Sequence, residues 1–213
     1  AEIHLVTDAK EKEVLAVAAG KNEEILFGNK YMHDFFFGHI TWTKDEDNMK
    51  KVGFYVDTLE LPPPARLLFP LWKHWSIMKL FAAIGFPSVV AKENAKLYAS
   101  GSAIGAIVIP NIDPESFVTA GRALERVWLT STKLGLSFQP LTGIPFLHGR
   151  ITRGLTDELS LRDIATINEA YATITHTINI NTPRVVAMLF RVGKSDPPTA
   201  RSCRLPVADF IIS

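Results

Sequence analysis

The sequence predicts an α+β fold. Three observations carry this reading. Two β-rich apolar runs, Ile3–Thr7 and Val185–Val192, are too short for buried helices, and a long amphipathic stretch from Asp113 to Leu134 has helical period. Further helical and strand-like segments lie between them, with no internal repeat, low-complexity tract or long flexible linker. The 213 residues are 47% apolar and 21% charged, enough for one sizeable core and short for two. Residues 1–213 therefore read as a single domain.

Ile3–Thr7 alternates, and Asp8 closes it. From Lys10 to Ala19, Val14, Leu15, Ala18 and Ala19 share a helical face, and Gly20 is expected to stop the helix. Glu23 to Gly38 continues helically, with Ile25, Leu26, Met32, Phe35 and Phe36 apolar. Asp45-Glu46-Asp47-Asn48 looks superficially like the start of a calcium loop. Lys50 stands where that loop needs glycine and no acid occupies the twelfth position, so a solvated turn is expected.

Leu61-Pro62-Pro63-Pro64 breaks the chain into an extended segment. It introduces Leu67–Pro87, where Phe69, Trp72, Trp75, Phe81 and Phe86 are interrupted by Lys73, His74 and Lys79. The stretch is too polar and too short to span a bilayer. It reads as a helical excursion packed on its own domain or on a partner subunit, with a flat position on a membrane surface as the alternative. Lys96 to Ile109 is small and β-branched and fits a strand buried on both sides. Its Gly101 and Gly105 have neither the ending nor the spacing of a phosphate loop, so no cofactor role is expected of them.

Asp113-Pro114-Glu115 is a strong helix start: an N-cap acid, proline at the first position and an acid in the first turn. The helix is expected to run to Leu134 and stop at Gly135. Phe117, Ala120, Gly121, Leu124, Val127, Trp128 and Ser131 make one face, while Arg122, Glu125, Arg126 and Lys133 include the wetter positions. A short strand, Leu136–Phe138, leads into a loop, Gln139–Pro145. A helix follows from Leu161 to about Ile178, with Ser160 as a possible cap. Val185–Val192, bounded by Gly193, has the near-continuous apolarity of a central strand. The tail carries Pro197-Pro198, the basic pair Arg201 and Arg204, and the apolar run Phe210-Ile211-Ile212.

A formal net charge of +1 offers no global basic field for a nucleic acid. The single cysteine, Cys203, excludes an intramolecular disulfide and fits a reducing cytoplasm. It is expected to be a small buried or half-exposed residue rather than a nucleophile. His33, His39, His74, His148 and His176 show no metal-ligand spacing, so no metal site is expected. The opening residues lack the basic segment and long apolar run of a signal peptide. They also lack an initiator Met and open directly into a strand, so the natural N-terminus is expected elsewhere.

The order of these pieces resembles the C-terminal part of the nitroreductase family, in its larger, divergent branch. The residues that carry the resemblance are Ala120-Gly121-Arg122-Ala123-Leu124-Glu125-Arg126-Val127-Trp128-Leu129, then Leu134-Gly135-Leu136-Ser137-Phe138-Gln139-Pro140-Leu141-Thr142-Gly143. Leu189-Phe190-Arg191-Val192-Gly193 and Arg204-Leu205-Pro206 complete it. It covers most of Ile3 to Ile212, weakly across Thr41 to Ala95, and marks about 41–95 as an insertion or lid. It implies a central mixed or antiparallel sheet flanked by helices, and a homodimer with the long helix at its interface. It also implies FMN as cofactor, with NADH or NADPH as co-substrate. Pro140, Leu141, Thr142 and Gly143 would then line the flavin, a main-chain N–H tuning the ring atom that accepts and returns hydride. Arg204, assisted by Arg201, would meet the FMN phosphate, a task suited to a forked guanidinium.

The sequence departs from the family's pattern in two places. Ser202 stands where a lysine is often found, and the Arg-Arg-Ser-type and Asn-x-Gln-Pro-Trp-like segments of the family's front do not occur. The implied activity is a cytoplasmic oxidoreductase that passes hydride from NAD(P)H through FMN to a nitroaromatic, a quinone or a similar acceptor. It needs no catalytic side chain of its own. The alternatives are a flavin binder that has lost turnover, a membrane-associated interaction protein using the Trp-rich segment, and a flavoenzyme of different reaction such as dehalogenation or flavin fragmentation.

Overall fold

The computed structural model describes residues 1–210; Ile211 and Ile212 of the expected terminal apolar run lie outside the described residues. In chain order the elements begin β1 (Glu2–Val6), α1 (Ala9–Gly28), α2 (Lys30–Gly38), β2 (Ile40–Thr41), α3 (Lys44–Lys50) and β3 (Phe54–Tyr55). Next come α4 (Pro63–Trp72), α5 (Trp75–Ala83), α6 (Phe86–Ala99), β4 (Ala103–Ile109) and α7 (Pro114–Lys133). The last are β5 (Ser137–Pro140), α8 (Gly143–Thr152), α9 (Leu161–Thr177) and β6 (Val185–Gly193). The class is α+β, with a small antiparallel sheet and many helices. The chain divides into two compact units, Ala1–Ile25 with Gly85–Ser195, and Leu26–Ile84 with the tail from Asp196.

The first unit is built on a four-stranded sheet of order β1-β4-β6-β5, every neighbouring pair antiparallel. All seven residues of β4 are buried, and β6 lies beside it in the interior, as its apolar run predicts. The pleat sends alternate β4 side chains to opposite faces. Ile104, Ala106 and Val108 join Leu15 and Ala19 of α1, Ile174 of α9 and Leu189 of β6. Ile107 and Ile109 face Ala120, Leu124 and Val127 of α7. Each fully buried isoleucine contributes about 1.5–3 kcal/mol of hydrophobic stabilisation.

Gly105 has a packing reason. It sits opposite Phe190 in register, and a Cβ there would fall into the Phe190 ring. That ring stacks on Phe138 at 5.0 Å, and Phe138 stacks on Trp128 of α7 at 4.9 Å, so the missing side chain seats an aromatic ladder across the sheet.

The long helix begins as read, with Asp113 Oδ1 accepting the Ser116 N–H at 2.8 Å, and Gly135 takes φ +70 just beyond it. Phe117 and Trp128 are only partly covered. In α9, Ser160 Oγ accepts the Asp163 N–H at 3.1 Å, and Asp163 Oδ2 accepts the Ser160 N–H at 2.9 Å, a complete capping box.

Several local expectations are corrected. Gly20 does not end the first helix. A Cβ there would lie 2.8 Å from the Ala91 carbonyl oxygen, so the glycine lets α6 approach α1 while α1 continues to Gly28. The expected helix Glu23–Gly38 is instead broken at Asn29, whose Oδ1 accepts the Met32 N–H at 3.2 Å and starts α2. Lys96–Ala99 belong to α6 rather than to a strand, because Ala91, Ala95 and Tyr98 form a buried row at helical spacing. The expected loop Gln139–Pro145 becomes strand through Pro140 and helix from Gly143, with Pro145 in the first turn, where its missing N–H costs nothing.

The second unit is held by an aromatic cluster. Phe37, Phe69 and Trp72 are buried together, and Trp42 stacks parallel to Phe37. His33 is fully buried, with Nε2 2.8 Å from the Trp72 carbonyl oxygen and Nδ1 3.1 Å from Asp34 Oδ1. Asp45–Asn48 is not the expected solvated turn but the body of α3. Thr43 Oγ1 caps it by accepting the Glu46 N–H at 3.1 Å, and Asp47 is 1% exposed.

Candidate functional site

The strand-to-helix junction after β5 has an unusual division of main-chain donors. Pro140 pairs with Phe190 at the end of the sheet and has no N–H. The Leu141 N–H donates to the Leu189 carbonyl at 2.8 Å and its side chain is buried in the core, so this residue is committed to the scaffold. Thr142, the residue before α8, carries no side-chain cap bond. The N–H groups of Thr142, Gly143 and Ile144 have no backbone acceptor among the described residues. They form the positive end of a ten-residue helix. Thr142 and Gly143 are half-buried.

Gly143 is required by its neighbour. A Cβ on it would collide with the carboxamide of Asn22 on α1, lying 2.9 Å even from Asn22 Cβ. Beside Asn22, Glu23 is 8% exposed; its Oε1 accepts the Tyr98 hydroxyl at 2.8 Å and its Oε2 has no hydrogen-bond partner among the described residues. Burial pushes the Glu23 carboxyl above the usual carboxylate range, with Tyr98 pulling the other way. Burial and the facing carboxylate push the Tyr98 phenol upward. Arg191, next in the chain to Phe190, lies with its guanidinium 5.7 Å from the Tyr98 ring. It donates from Nε to Gln139 Oε1 at 2.7 Å and, from a terminal nitrogen, to the Leu97 carbonyl. A polar network thus runs from Gln139, immediately before the junction, through Arg191 and Tyr98 to Glu23 and Asn22.

On α8, His148 stacks parallel to Tyr171 at 3.7 Å, and burial lowers its basicity. A groove of about 500 Å³ in the first unit lies elsewhere, between α1 and α9, over Val14, Val17, Ala18 and Ala170. It contains none of the junction residues.

Arg201 and Arg204 belong to the second unit. The tail that bears them is tied to α3 and β3. The Arg201 carbonyl accepts Lys44 Nζ at 2.9 Å, Ser202 Oγ accepts the Tyr55 N–H at 2.9 Å, and the Cys203 N–H donates to Asp47 Oδ2 at 2.9 Å. The Lys44 ammonium beside Asp47 holds that carboxyl below its usual range. Both arginines are exposed, and neither guanidinium has a hydrogen-bond or ion-pair partner among the described residues. Ser202 is therefore a latch for the tail. Cys203 is half-exposed, as expected, with its thiol 2.8 Å from Asn48 Oδ1.

Of the residues expected to bind a cofactor, Pro140–Gly143 are contiguous in the first unit, and Arg201 and Arg204 share one fixed segment of the second. Sequence reasoning missed Asn22, Glu23, Tyr98 and Arg191. Glu23 stands in the polar stretch Lys21-Asn22-Glu23-Glu24, so nothing local marks it as buried. Among the described residues no group of three or more His, Cys, Asp or Glu is placed to hold a metal ion, and no single helix is long and apolar enough to cross a membrane. No protein-family model matches this chain, and no curated protein matches it.

Proposed function

We propose that this chain is an FMN-dependent oxidoreductase of the nitroreductase type, acting as a homodimer with NADH or NADPH as reductant. The observation that carries the reading is the junction at Thr142–Gly143. Two half-buried main-chain donors have no backbone acceptor among the described residues; they sit at a helix N-terminus, held by the sheet on one side and Asn22 on the other. Such donors suit the acceptor edge of an isoalloxazine ring, and the glycine admits a close approach. The unpaired guanidiniums of Arg201 and Arg204 suit a phosphate monoester. When bound, FMN supplies the two-electron chemistry, taking hydride from NAD(P)H and delivering it to an electron-poor acceptor such as a nitroaromatic or a quinone. The chain's own residues bind and orient; Thr142 and Gly143 donate, and Leu141 and Gln139 anchor the junction to the sheet. The exposed row Val118, Arg122, Glu125 and Leu129 on α7 fits the dimer interface of this reading. The segment at about 41–95 is its insertion.

The test is an FMN titration of the purified product of the intact gene, followed by addition of NADH or NADPH without oxygen. Saturable quenching of flavin fluorescence, then bleaching of flavin absorbance by a nicotinamide, is expected. A protein that never binds FMN sinks the proposal, and one that binds it but is reduced by neither nicotinamide is the flavin binder without turnover.

A further inference from the structure

The second unit presents an apolar surface that its own core does not use. In α4, Phe69 and Trp72 point inward, while Leu67, Leu68 and Leu71 are exposed, Leu67 by 79%. In α5, Met78 is buried, while Leu80 is 69% exposed and Ile84, the residue that ends the helix, is 76% exposed. Scattered single apolar residues on a surface are ordinary, but four leucines on two consecutive short helices and Ile84 at the end of the second form a patch that calls for a partner.

The charges around it select the partner. From Leu61 to Ile84 there is no Asp or Glu, and the basic residues are Arg66, Lys73 and Lys79. Arg66 pairs with Asp57 at 2.7 Å. Lys73 and Lys79 are exposed and in no ion pair among the described residues; Lys73 Nζ lies 5.5 Å from the Trp42 ring centroid. A symmetric contact between two copies would bring these like charges together. Helices of ten and nine residues are about 15 Å long or less, half a hydrocarbon core, so neither crosses a bilayer by itself. Apolar residues beside unpaired lysines on short helices are instead what an interfacial helix needs. The leucines enter the acyl boundary, and the lysine stems reach back to the headgroups.

We propose that α4 and α5 dock this protein on the surface of an anionic lipid bilayer. This binding is peripheral, reversible by salt and independent of any flavin chemistry.

Sedimentation with extruded vesicles tests it, comparing phosphatidylcholine alone with phosphatidylcholine containing phosphatidylserine. Partition is expected only onto the mixed vesicles and is expected to fall as salt is raised. Lys73→Gln with Lys79→Gln is expected to weaken it about 25-fold, at roughly fivefold for each charge near the surface. Leu67→Ser with Leu80→Ser, both at exposed positions, is expected to abolish it while leaving the thermal transition in place. Failure to sediment with the mixed vesicles, or equal binding to neutral ones unaffected by the lysine changes, overturns the proposal. So does concentration-dependent self-association lost in the leucine variant without vesicle binding, which would assign the patch to a second copy. Capture of an acidic protein by the patch without vesicle binding overturns it equally.

Discussion

Replacing Gly143 tests whether Asn22 holds the junction. The backbone φ of Gly143 is not positive, so an alanine there meets no conformational penalty and, as a better helix former, gains up to about 0.5–1 kcal/mol. What opposes it is contact. The new methyl would overlap Asn22 Oδ1 and Cγ and lie 2.9 Å from Asn22 Cβ. Rotating the Asn22 side chain moves the first two atoms but not the third, so α1 or α8 must shift. Overpacking of this kind costs about 1–3 kcal/mol. Gly143→Ala should therefore destabilise by about 1–2 kcal/mol, roughly 2–8 °C in melting temperature for a chain of this size. In an Asn22→Gly background all three contacts are gone, and the same substitution should be nearly neutral. Urea denaturation of the four proteins, followed by circular dichroism, gives the coupling directly; a value of about 1 kcal/mol or more is expected. If the two substitutions add to within about 0.5 kcal/mol, Asn22 does not brace the junction and the reasoning fails.

Gly105→Ala should cost at least about 1–3 kcal/mol by chemical denaturation, since its methyl would enter the ring of Phe190 inside a fully buried strand. Ser160→Ala should cost about 1 kcal/mol, because it removes the N–H acceptor at the start of α9. Glu23→Gln should change the pH dependence of stability. The folded carboxyl keeps its proton after the unfolded chain has released its own near 4.5. Its contribution is thus present below that pH and lost as pH rises through the folded value. The variant should match wild type in acid and gain on it as pH is raised; a constant difference in melting temperature across the range would refute this.

Much of the first unit was legible. Asp113-Pro114-Glu115 and Ser160 with Asp163 announce helix starts because a cap is a local bond between neighbours in sequence. Val185–Val192 announces a central strand because both its faces must be apolar. The errors have a common cause. Gly20 reads as a stop, and as a structural residue it is a contact surface for Ala91, which lies 71 positions along the chain. Asp47 reads as solvated, and it is buried because the Cys203 N–H reaches it from the far end of the sequence. Local chemistry can propose a turn, but only tertiary contact decides whether a glycine ends a helix or admits its neighbour. The junction at Pro140–Gly143 was visible as a Pro-x-x-Gly segment. Its brace was not, since Asn22 and Gly143 have no sequence relation at all.

The same asymmetry governs the groups of the candidate site. Its useful groups are main-chain N–H donors, whose positions depend on everything that fixes the backbone. Three independent constraints act within five residues, Gln139 to Gly143. Gln139 is tied to Arg191, Leu141 is bonded to Leu189, and Gly143 is seated on Asn22. A single neutral hydrogen bond contributes only about 0.5–1.5 kcal/mol, too little to hold a loop against solvent competition. Constraints at successive alternate residues leave the intervening peptide units little freedom to turn their donors away. Preorganised dipoles of this kind do not have to reorient when charge develops beside them, which is where their value to a reaction lies. In the proposed reading, rigidity supplied by a sheet edge and one helix contact takes the place of catalytic side chains. In the proposed flavin reading, Asn22 and Arg191 position the donors without touching any substrate.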